Sequence, residues 1–273
     1  MRGTLAIAQN TFREVIRARV LYVLAFFAVL IILSSKAVGW VSAGQDIKVI
    51  TDIGLAAIPF FSVLIAIFVG TGLVYQEIEK RTLYIILARP IRREAYILGK
   101  YLGFLAGVFL VQTLMLAAFL LYLAVWLHGW QPGQFEGGVG FSPALAQACL
   151  LAYGEVALMT AVALFFSSVS TPILSACFTF AAYAVGSNAD GLLLIPSFVR
   201  PAELSAGGQA VLRAAVELGY SLVPNLSAFN MRGLATHGLA LPWADVASSL
   251  LYGLLYSAGL LCLAALAFRR RNL

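Results

Sequence analysis

Apolar residues follow one another in long stretches along this chain, and polar residues are confined mostly to the connections between them. A helix needs about 20 mostly apolar residues to cross a bilayer. Six stretches meet this requirement: residues 20–39, 53–75, 96–126, 144–166, 172–195 and 244–268. The pattern predicts an all-α integral membrane protein with six transmembrane helices, forming a single domain over residues 1–273.

The first 19 residues follow a different pattern. Four arginines interrupt a set of apolar residues that recur at helical spacing: Leu5, Ala8, Phe12, Val15 and Ile16. This pattern predicts an amphipathic helix lying in the headgroup plane. A secretory signal is the alternative, but the apolar run that follows is too long for one, which favours a retained span.

The composition agrees with a protein that resides in a bilayer. Hydrophobic residues make up 62% of the chain and charged residues 11%, with a mean hydropathy of +0.93. Soluble domains carry about 25% charged residues. The spans and their connections use nearly the whole chain, which leaves no room for a soluble catalytic domain.

The positions of Lys and Arg predict the orientation. Placing both termini in the cytoplasm puts 13 of the 18 basic residues there, as the positive-inside rule requires. Five remain elsewhere: Lys36, Lys48, Arg200, Arg213 and Arg232. The prediction is a multi-pass protein of the inner (cytoplasmic) membrane. The net charge of +6 indicates affinity for lipid headgroups, and the chain lacks nucleic-acid-binding motifs, so nucleic acid is not an expected partner.

A connection at residues 76–95 is longer and more apolar than a link between two spans requires. Glu77 and Glu79 lead the chain out of the membrane, Thr82 is placed to cap a short helix, and Pro90 ends that helix. An apolar face follows helical spacing within it: Leu83, Ile86 and Leu87. Exposed apolar surface usually marks a contact, so this segment predicts a docking site for another protein.

Three arginines close the same segment: Arg89, Arg92 and Arg93. Long basic side chains at a membrane boundary extend their charge to the headgroups and anchor the adjoining helices. An interfacial turn that only anchors two spans is therefore the alternative to a docking site.

Polar residues within the predicted spans are candidates for the transport path. Glu155 lies near the middle of the fourth stretch, where a carboxylate is costly and usually faces a partner or a watery cavity. Asn188 and Asp190 lie where residues 186–191 interrupt the fifth stretch. The alternatives are helix packing for Glu155 and an early end of the span for the other pair.

The long connection before the last stretch carries an apolar face opposite charged residues at 209–222. This pattern predicts a surface or re-entrant helix on the outer side. Elsewhere, three cysteines and two histidines form no cluster with metal-ligand spacing, so no metal site is expected.

The segment at 77–93 resembles the region after the second span in ABC-2 type permeases, particularly the NosY-like and GldF-like group. The resemblance rests on Glu77-x-Glu79-x-x-Thr82-Leu83, then Leu87-Ala88-x-Pro90-Ile91-x-Arg93 and Gly99-Lys100. A second stretch, Pro224-Asn225-Leu226-x-x-Phe229-Asn230, is similar to a Pro-Asn-Leu-x-x-Phe-Asn sequence often found before the last span.

The resemblance implies a membrane subunit of an ATP-driven transporter with a defined organisation. This comprises an amphipathic helix at 1–19, spans at 20–75, a coupling helix within 76–95, spans at 96–195, an outer loop at 196–243 and a last span at 244–268. Two cytoplasmic ATPase subunits and either a second permease copy or a homologous permease are the implied partners, with membrane lipids around them. No phosphate-binding loop occurs, so ATP and Mg²⁺ are expected on the ATPase and no cofactor on this chain.

Two other classes stay open at this point. A stand-alone secondary transporter or channel predicts matching ion-binding groups in two internal repeats, and no convincing repeat is present. An intramembrane enzyme predicts a catalytic motif, and none is recognisable. An exporter of a lipid or another hydrophobic molecule is the leading expectation.

Overall fold

A computed structural model describes residues 2–39, 46–79, 93–128, 142–192, 223–237 and 239–270. All regular secondary structure in these ranges is helical. The α-helices are α1 (Arg2–Arg17), α2 (Arg19–Gly39), α3 (Asp46–Glu79), α4 (Arg93–His128), α5 (Pro143–Val169), α6 (Pro172–Ser187), α7 (Ala189–Leu192), α8 (Arg232–Thr236) and α9 (Trp243–Arg270). A single 3₁₀ turn spans Ser227–Phe229.

Four of these helices, α3, α4, α5 and α9, are individually long and apolar enough to cross a membrane. The pair α1–α2 is bent by 59° and counts as a fifth when it is taken as one span. Helix α6 has 16 residues, about 24 Å at 1.5 Å per residue, and is shorter than a full span. The all-α membrane class therefore agrees with the described residues, and the number of six spans stays a prediction.

The breaks between helices follow local sequence signals. Ser142 caps α5, accepting a hydrogen bond from the backbone N–H of Leu145 at 3.2 Å, and Pro143 occupies the first turn. Pro172 likewise opens α6. Helix α6 ends at Ser187, and α7 starts after Asn188, within the interruption that the sequence predicts at 186–191.

Helix α4 runs antiparallel to α3, whereas α5 runs parallel to α3. Phe119 of α4 packs on Gly54 of α3, and Phe104 packs on Gly70, so residue numbers rise on one helix as they fall on the other. The hydroxyl of Ser167 near the end of α5 donates to the carbonyl of Thr71 near the end of α3, at 2.9 Å. We call the end of the bundle that holds α1, the end of α3 and the start of α4 the α1 end, and the opposite end the distal end.

Helices α3 and α5 form the centre of the bundle. In an apolar stretch of 18 residues within each helix, 67% and 61% of the residues are buried, compared with 22% in α9. Side chains on the outer surface are large and apolar, as Phe26 on α2 and Leu254 on α9 illustrate. Because lipid tails are the natural neighbours of such surfaces, the bundle is suited to an apolar surrounding.

Helix α1 packs directly on α4 through a row of glycines. A methyl group on Gly103 would overlap the backbone carbonyl of Ala8, and one on Gly107 would lie 2.6 Å from Val15. Gly99 faces Thr4 in the same way at 2.9 Å. Such close backbone approach is how helices associate where the hydrophobic effect is weak. The predicted amphipathic helix is thus part of the helix bundle, and its position in the headgroup plane stays a prediction.

We expect Gly103→Ala to separate α1 from α4. The added methyl meets a backbone carbonyl, and overpacking of this kind costs about 1–3 kcal/mol. The matched control is Gly259→Ala on α9, where nothing lies within 4 Å of the added methyl. Thermal unfolding in detergent should show a lower Tm for Gly103→Ala only. Equal midpoints for the two variants would contradict the packing.

Candidate functional site

The site centres on Glu155, the only charged residue of α5. Its side chain is partly buried near the middle of the helix and faces a cavity of about 20 Å³, enough for a water molecule. The cavity lies between α3, α5, α6 and the segment before α9. The residues lining it are Leu55, Ala56, Pro59, Ala148, Ala152, Glu155, Tyr183, Phe229, Asn230, Met231 and Arg232.

Arg232 supplies the opposite charge. It is the first residue of α8 and lines the same cavity as Glu155. Asn230 orients the arginine, because its side-chain oxygen accepts a hydrogen bond from Arg232 Nε at 2.9 Å. Tyr183 of α6 lines the same cavity. An acid inside a span and a base from outside the long helices therefore border one small cavity.

Residues 223–237, which we call the inserted segment, bring Arg232 to this position. The backbone N–H of Leu226 donates to the carbonyl of Gly186 at the end of α6, at 3.0 Å. The N–H of Asn225 donates to the hydroxyl of Tyr252 on α9, at 2.9 Å. Two helices of the bundle therefore hold the start of the segment through its backbone.

Gln147 holds the chain where it leaves the inserted segment for α9. Its side-chain amide donates to the carbonyl of Leu241 at 2.8 Å, and its side-chain oxygen accepts from the N–H of Leu241 at 3.0 Å. Gln147 lies in the first turns of α5, at the distal end. The chain therefore returns to the distal end after it has lined the cavity at Glu155.

The buried side chain of Phe229 anchors the inserted segment in the bundle. The ring is 3% exposed and lies between Gly154 of α5 and Gly253 of α9. A methyl group on either glycine would come within 2.8 Å of the ring. Any larger residue at these two positions would displace the phenylalanine.

A second buried charge lies at the α1 end. Lys100 of α4 is 1% exposed, and its Nζ lies 3.4 Å from Glu14 Oε2 on α1. The same ammonium donates to the carbonyl of Leu73 on α3 at 3.3 Å. Lys100 of α4 thereby connects α1 with α3. The end of α3 and the start of α4 are the two helix ends that flank residues 80–92.

The predicted docking residues fall mostly outside the described residues. Those outside are Thr82, Leu83, Ile86, Leu87, Arg89, Pro90 and Arg92. Glu77 and Glu79 belong to the last turn of α3, and Arg93 is the first residue of α4. The helix predicted at 209–222 is also outside the described residues.

Of the predicted path residues, Asn188 lies apart from Glu155. The amide of Asn188 is exposed and donates to the carbonyl of Ala184 at 2.9 Å, so it caps its own helix. Asp190 belongs to α7. Asn188 does not line the cavity at Glu155, and the side chain of Asp190 lies outside the described part of the chain.

The sequence alone did not predict which residues lie beside Glu155 or where Lys100 packs. Arg232 was available as one of only five basic residues away from the predicted cytoplasmic side, and an intramembrane acid calls for a base. Lys100 was recognised only as part of Gly99-Lys100. The packing of Phe229 is harder to predict from the sequence, because Gly154 and Gly253, which it contacts, are far apart in the chain.

A family model described as ABC-2 family transporter protein matches residues 5–273, nearly the whole chain. No curated protein matches the chain. The resemblance drawn from the sequence is confirmed at the level of the family, and the NosY-like and GldF-like subgroup stays a prediction.

We expect Lys100→Met to loosen α1 from the bundle, because Glu14 loses its ion-pair partner and Leu73 loses a donor. Hydrogen bonds to charged groups contribute about 1.5–3 kcal/mol. Trypsin should cleave faster at Arg13 and Arg17, as followed by mass spectrometry in detergent. The control is Lys48→Met, the same change at a partly exposed residue of α3. Equal cleavage rates in the two variants would count against the junction.

Proposed function

The chain belongs to the ABC-2 family of transporter proteins, and on that basis we propose that it is the membrane subunit of an ATP-binding cassette exporter. An ABC ATPase is the partner that the family implies. In the proposal two ATPase subunits bind ATP and Mg²⁺, and this chain pairs with a second permease copy. The match over residues 5–273 is the observation that carries the proposal.

The proposed route for ATP-driven motion starts at residues 80–92. These residues connect α3 to α4, whose ends meet α1 at Lys100. A force applied to residues 80–92 is therefore transmitted to α1, α3 and α4 through the buried ammonium of Lys100. This arrangement favours a coupling role for the segment, with Leu83, Ile86 and Leu87 as the apolar face that contacts the ATPase.

The proposed orientation places the α1 end in the cytoplasm. The basic residues Arg13, Arg17 and Arg19 lie at or near this end, and the positive-inside rule then assigns both termini to the cytoplasm. The inserted segment accordingly enters from the outer side. Substrate, a lipid or another hydrophobic molecule in this proposal, moves outward past the level of Glu155.

We expect the double variant Leu83→Asp/Leu87→Asp to lose the ATPase. Two carboxylates on an apolar contact face leave buried charges without partners, which costs several kcal/mol. The measurement is affinity purification of the permease from its native membrane, with the co-eluting ATPase quantified. Leu83→Ile/Leu87→Ile is the control and should retain it. An ATPase that stays bound to the Asp variant would refute the docking assignment.

We expect Glu155→Gln to slow transport about tenfold or more, equivalent to about 1.4 kcal/mol, while assembly with the ATPase stays intact. The change keeps the shape of the side chain and removes the charge that faces Arg232. ATP-dependent movement of a fluorescent phospholipid in proteoliposomes measures it. Asp245→Asn, the same loss of charge at an exposed acid of α9, is the matched control. Transport at the parental rate by Glu155→Gln would remove Glu155 from the mechanism.

A further inference from the structure

A groove on the surface of the bundle begins where α1 bends into α2. We call it the elbow groove; it has a volume of about 340 Å³ and is lined by α2 and α4, with Ile16 of α1 at the bend. Along α2 the lining runs from Leu21 to Val29, eight residues or about 12 Å. One leaflet supplies about 15 Å, half of the roughly 30 Å hydrocarbon core. The groove therefore matches the reach of a lipid tail from one leaflet.

The elbow groove is apolar along its length. Buried side chains form its floor, among them Leu21, Val111 and Met115, and exposed ones such as Phe26 form its rim. Tyr22, near the start of α2, supplies the one hydroxyl group among the lining side chains. Tyrosine at a membrane boundary places its ring in the hydrocarbon and its hydroxyl among the headgroups. The interior of the groove is thus suited to an acyl chain.

Three exposed arginines lie at the bend where the elbow groove begins: Arg13, Arg17 and Arg19. Residues three apart in a helix are neighbours on its surface. Arg13 precedes Ile16 by three positions and Arg19 precedes Tyr22 by three, and both Ile16 and Tyr22 line the groove. Positive charge therefore collects at one end of an apolar groove.

The charge of these arginines is not neutralised within the part of the chain that the structure describes. None of the three forms a salt bridge there, and the acid that follows Arg13, Glu14, pairs with Lys100 at 3.4 Å. Basic side chains next to a membrane attract anionic headgroups. A zwitterionic headgroup carries an ammonium group, which the arginines repel. The charge therefore favours an anionic lipid over a zwitterionic one.

We propose that the elbow groove binds one anionic phospholipid, with an acyl chain in the groove and the phosphate beside Arg13 and Arg19. The chemistry of the site follows that of the lipid, from the basic end through the hydroxyl of Tyr22 to the apolar interior. The bound lipid contacts both α1 and α2 and stabilises the bend between them. This inference goes beyond the proposed function, because the lipid is a resident ligand and its binding requires neither ATP nor the ATPase.

Quenching of tryptophan fluorescence by brominated lipids measures which lipid occupies the groove. Tyr22→Trp provides the reporter once the four native tryptophans are replaced by phenylalanine. The full-length protein is placed in phosphatidylcholine nanodiscs that contain a small fraction of brominated phosphatidylglycerol or of brominated phosphatidylcholine. Leu254→Trp, on the exposed surface of α9, is the matched reporter for the surrounding bilayer.

We expect phosphatidylglycerol to compete for the Tyr22→Trp reporter at least about fivefold better than phosphatidylcholine, which is the factor expected for one basic residue near an anionic lipid. The Leu254→Trp reporter should not distinguish the two lipids. The double change Arg13→Gln/Arg19→Gln should abolish the preference. Lys48→Gln, the loss of a positive charge at the distal end, should retain it.

Ala25→Phe distinguishes a binding site from a general attraction to headgroups. Ala25 lines the elbow groove, so the added ring occupies the space of the acyl chain and leaves the arginines in place. We expect it to reduce the preference for phosphatidylglycerol to near that of the double arginine variant. Ala146→Phe, in a second apolar groove between α4 and α5, is the control and should leave the preference unchanged.

Equal quenching of the Tyr22→Trp reporter by the two lipids would overturn the site. A preference that persists in Arg13→Gln/Arg19→Gln or in Ala25→Phe would overturn it as well. An equal preference at Leu254→Trp would show general enrichment of anionic lipid around the protein, which also contradicts a site. Phe26→Trp, which lines the same groove, replaces the reporter if Tyr22→Trp aggregates, and the same outcomes apply to it.

Discussion

A carboxylate in the middle of a hydrophobic helix must be matched by an opposite charge or by water, because an isolated charge in an apolar surrounding is costly. Glu155 imposes this requirement on α5. Arg232 lines the same cavity as Glu155 and belongs to a segment that would otherwise lie outside the long helices. Residues 223–237 run inward from the distal end to reach this cavity. Phe229 packs between two helices there, and the chain then returns to Gln147 at the distal end.

The charge at the opposite end has a different consequence. Lys100 binds Glu14 and the carbonyl of Leu73, so it stabilises a junction of three helices and faces no cavity shared with Glu155. The half-buried ion pair of Lys100 and Glu14 thus serves helix packing at the α1 end. Glu155 and Arg232 instead line a cavity at the centre of the bundle. In the proposed transporter, the junction at Lys100 transmits force from the ATPase, and Glu155 lies beside the path.

Much of the fold follows from local patterns in the sequence. The apolar stretches locate the long helices to within a few residues, and Pro143 and Pro172 mark the starts of α5 and α6. The break after Ser187 follows from the polar run that interrupts the fifth stretch. The close packing of α1 on α4 was not predicted, since a glycine row on a helix gives no indication of which neighbour it receives.

The candidate site was predicted only in part. Glu155 stands out because it is a lone acid in an apolar run, whereas its partners depend on how a distant segment folds back. The Pro224-Asn225-Leu226-x-x-Phe229-Asn230 stretch drew attention through resemblance, and its physical role needed the positions of Gly154 and Gly253. Asn188 was selected for the same polarity as Glu155, but its amide caps α6.

The coupling between Glu155 and Arg232 is the quantity on which this account depends most. A double-mutant cycle with Glu155→Gln, Arg232→Gln and the double variant measures it through the free energy of unfolding in detergent. The account predicts a favourable coupling of about 1–3 kcal/mol, as expected of residues that interact directly. Effects that add to within about 0.5 kcal/mol would show that the two charges are independent, and would contradict it.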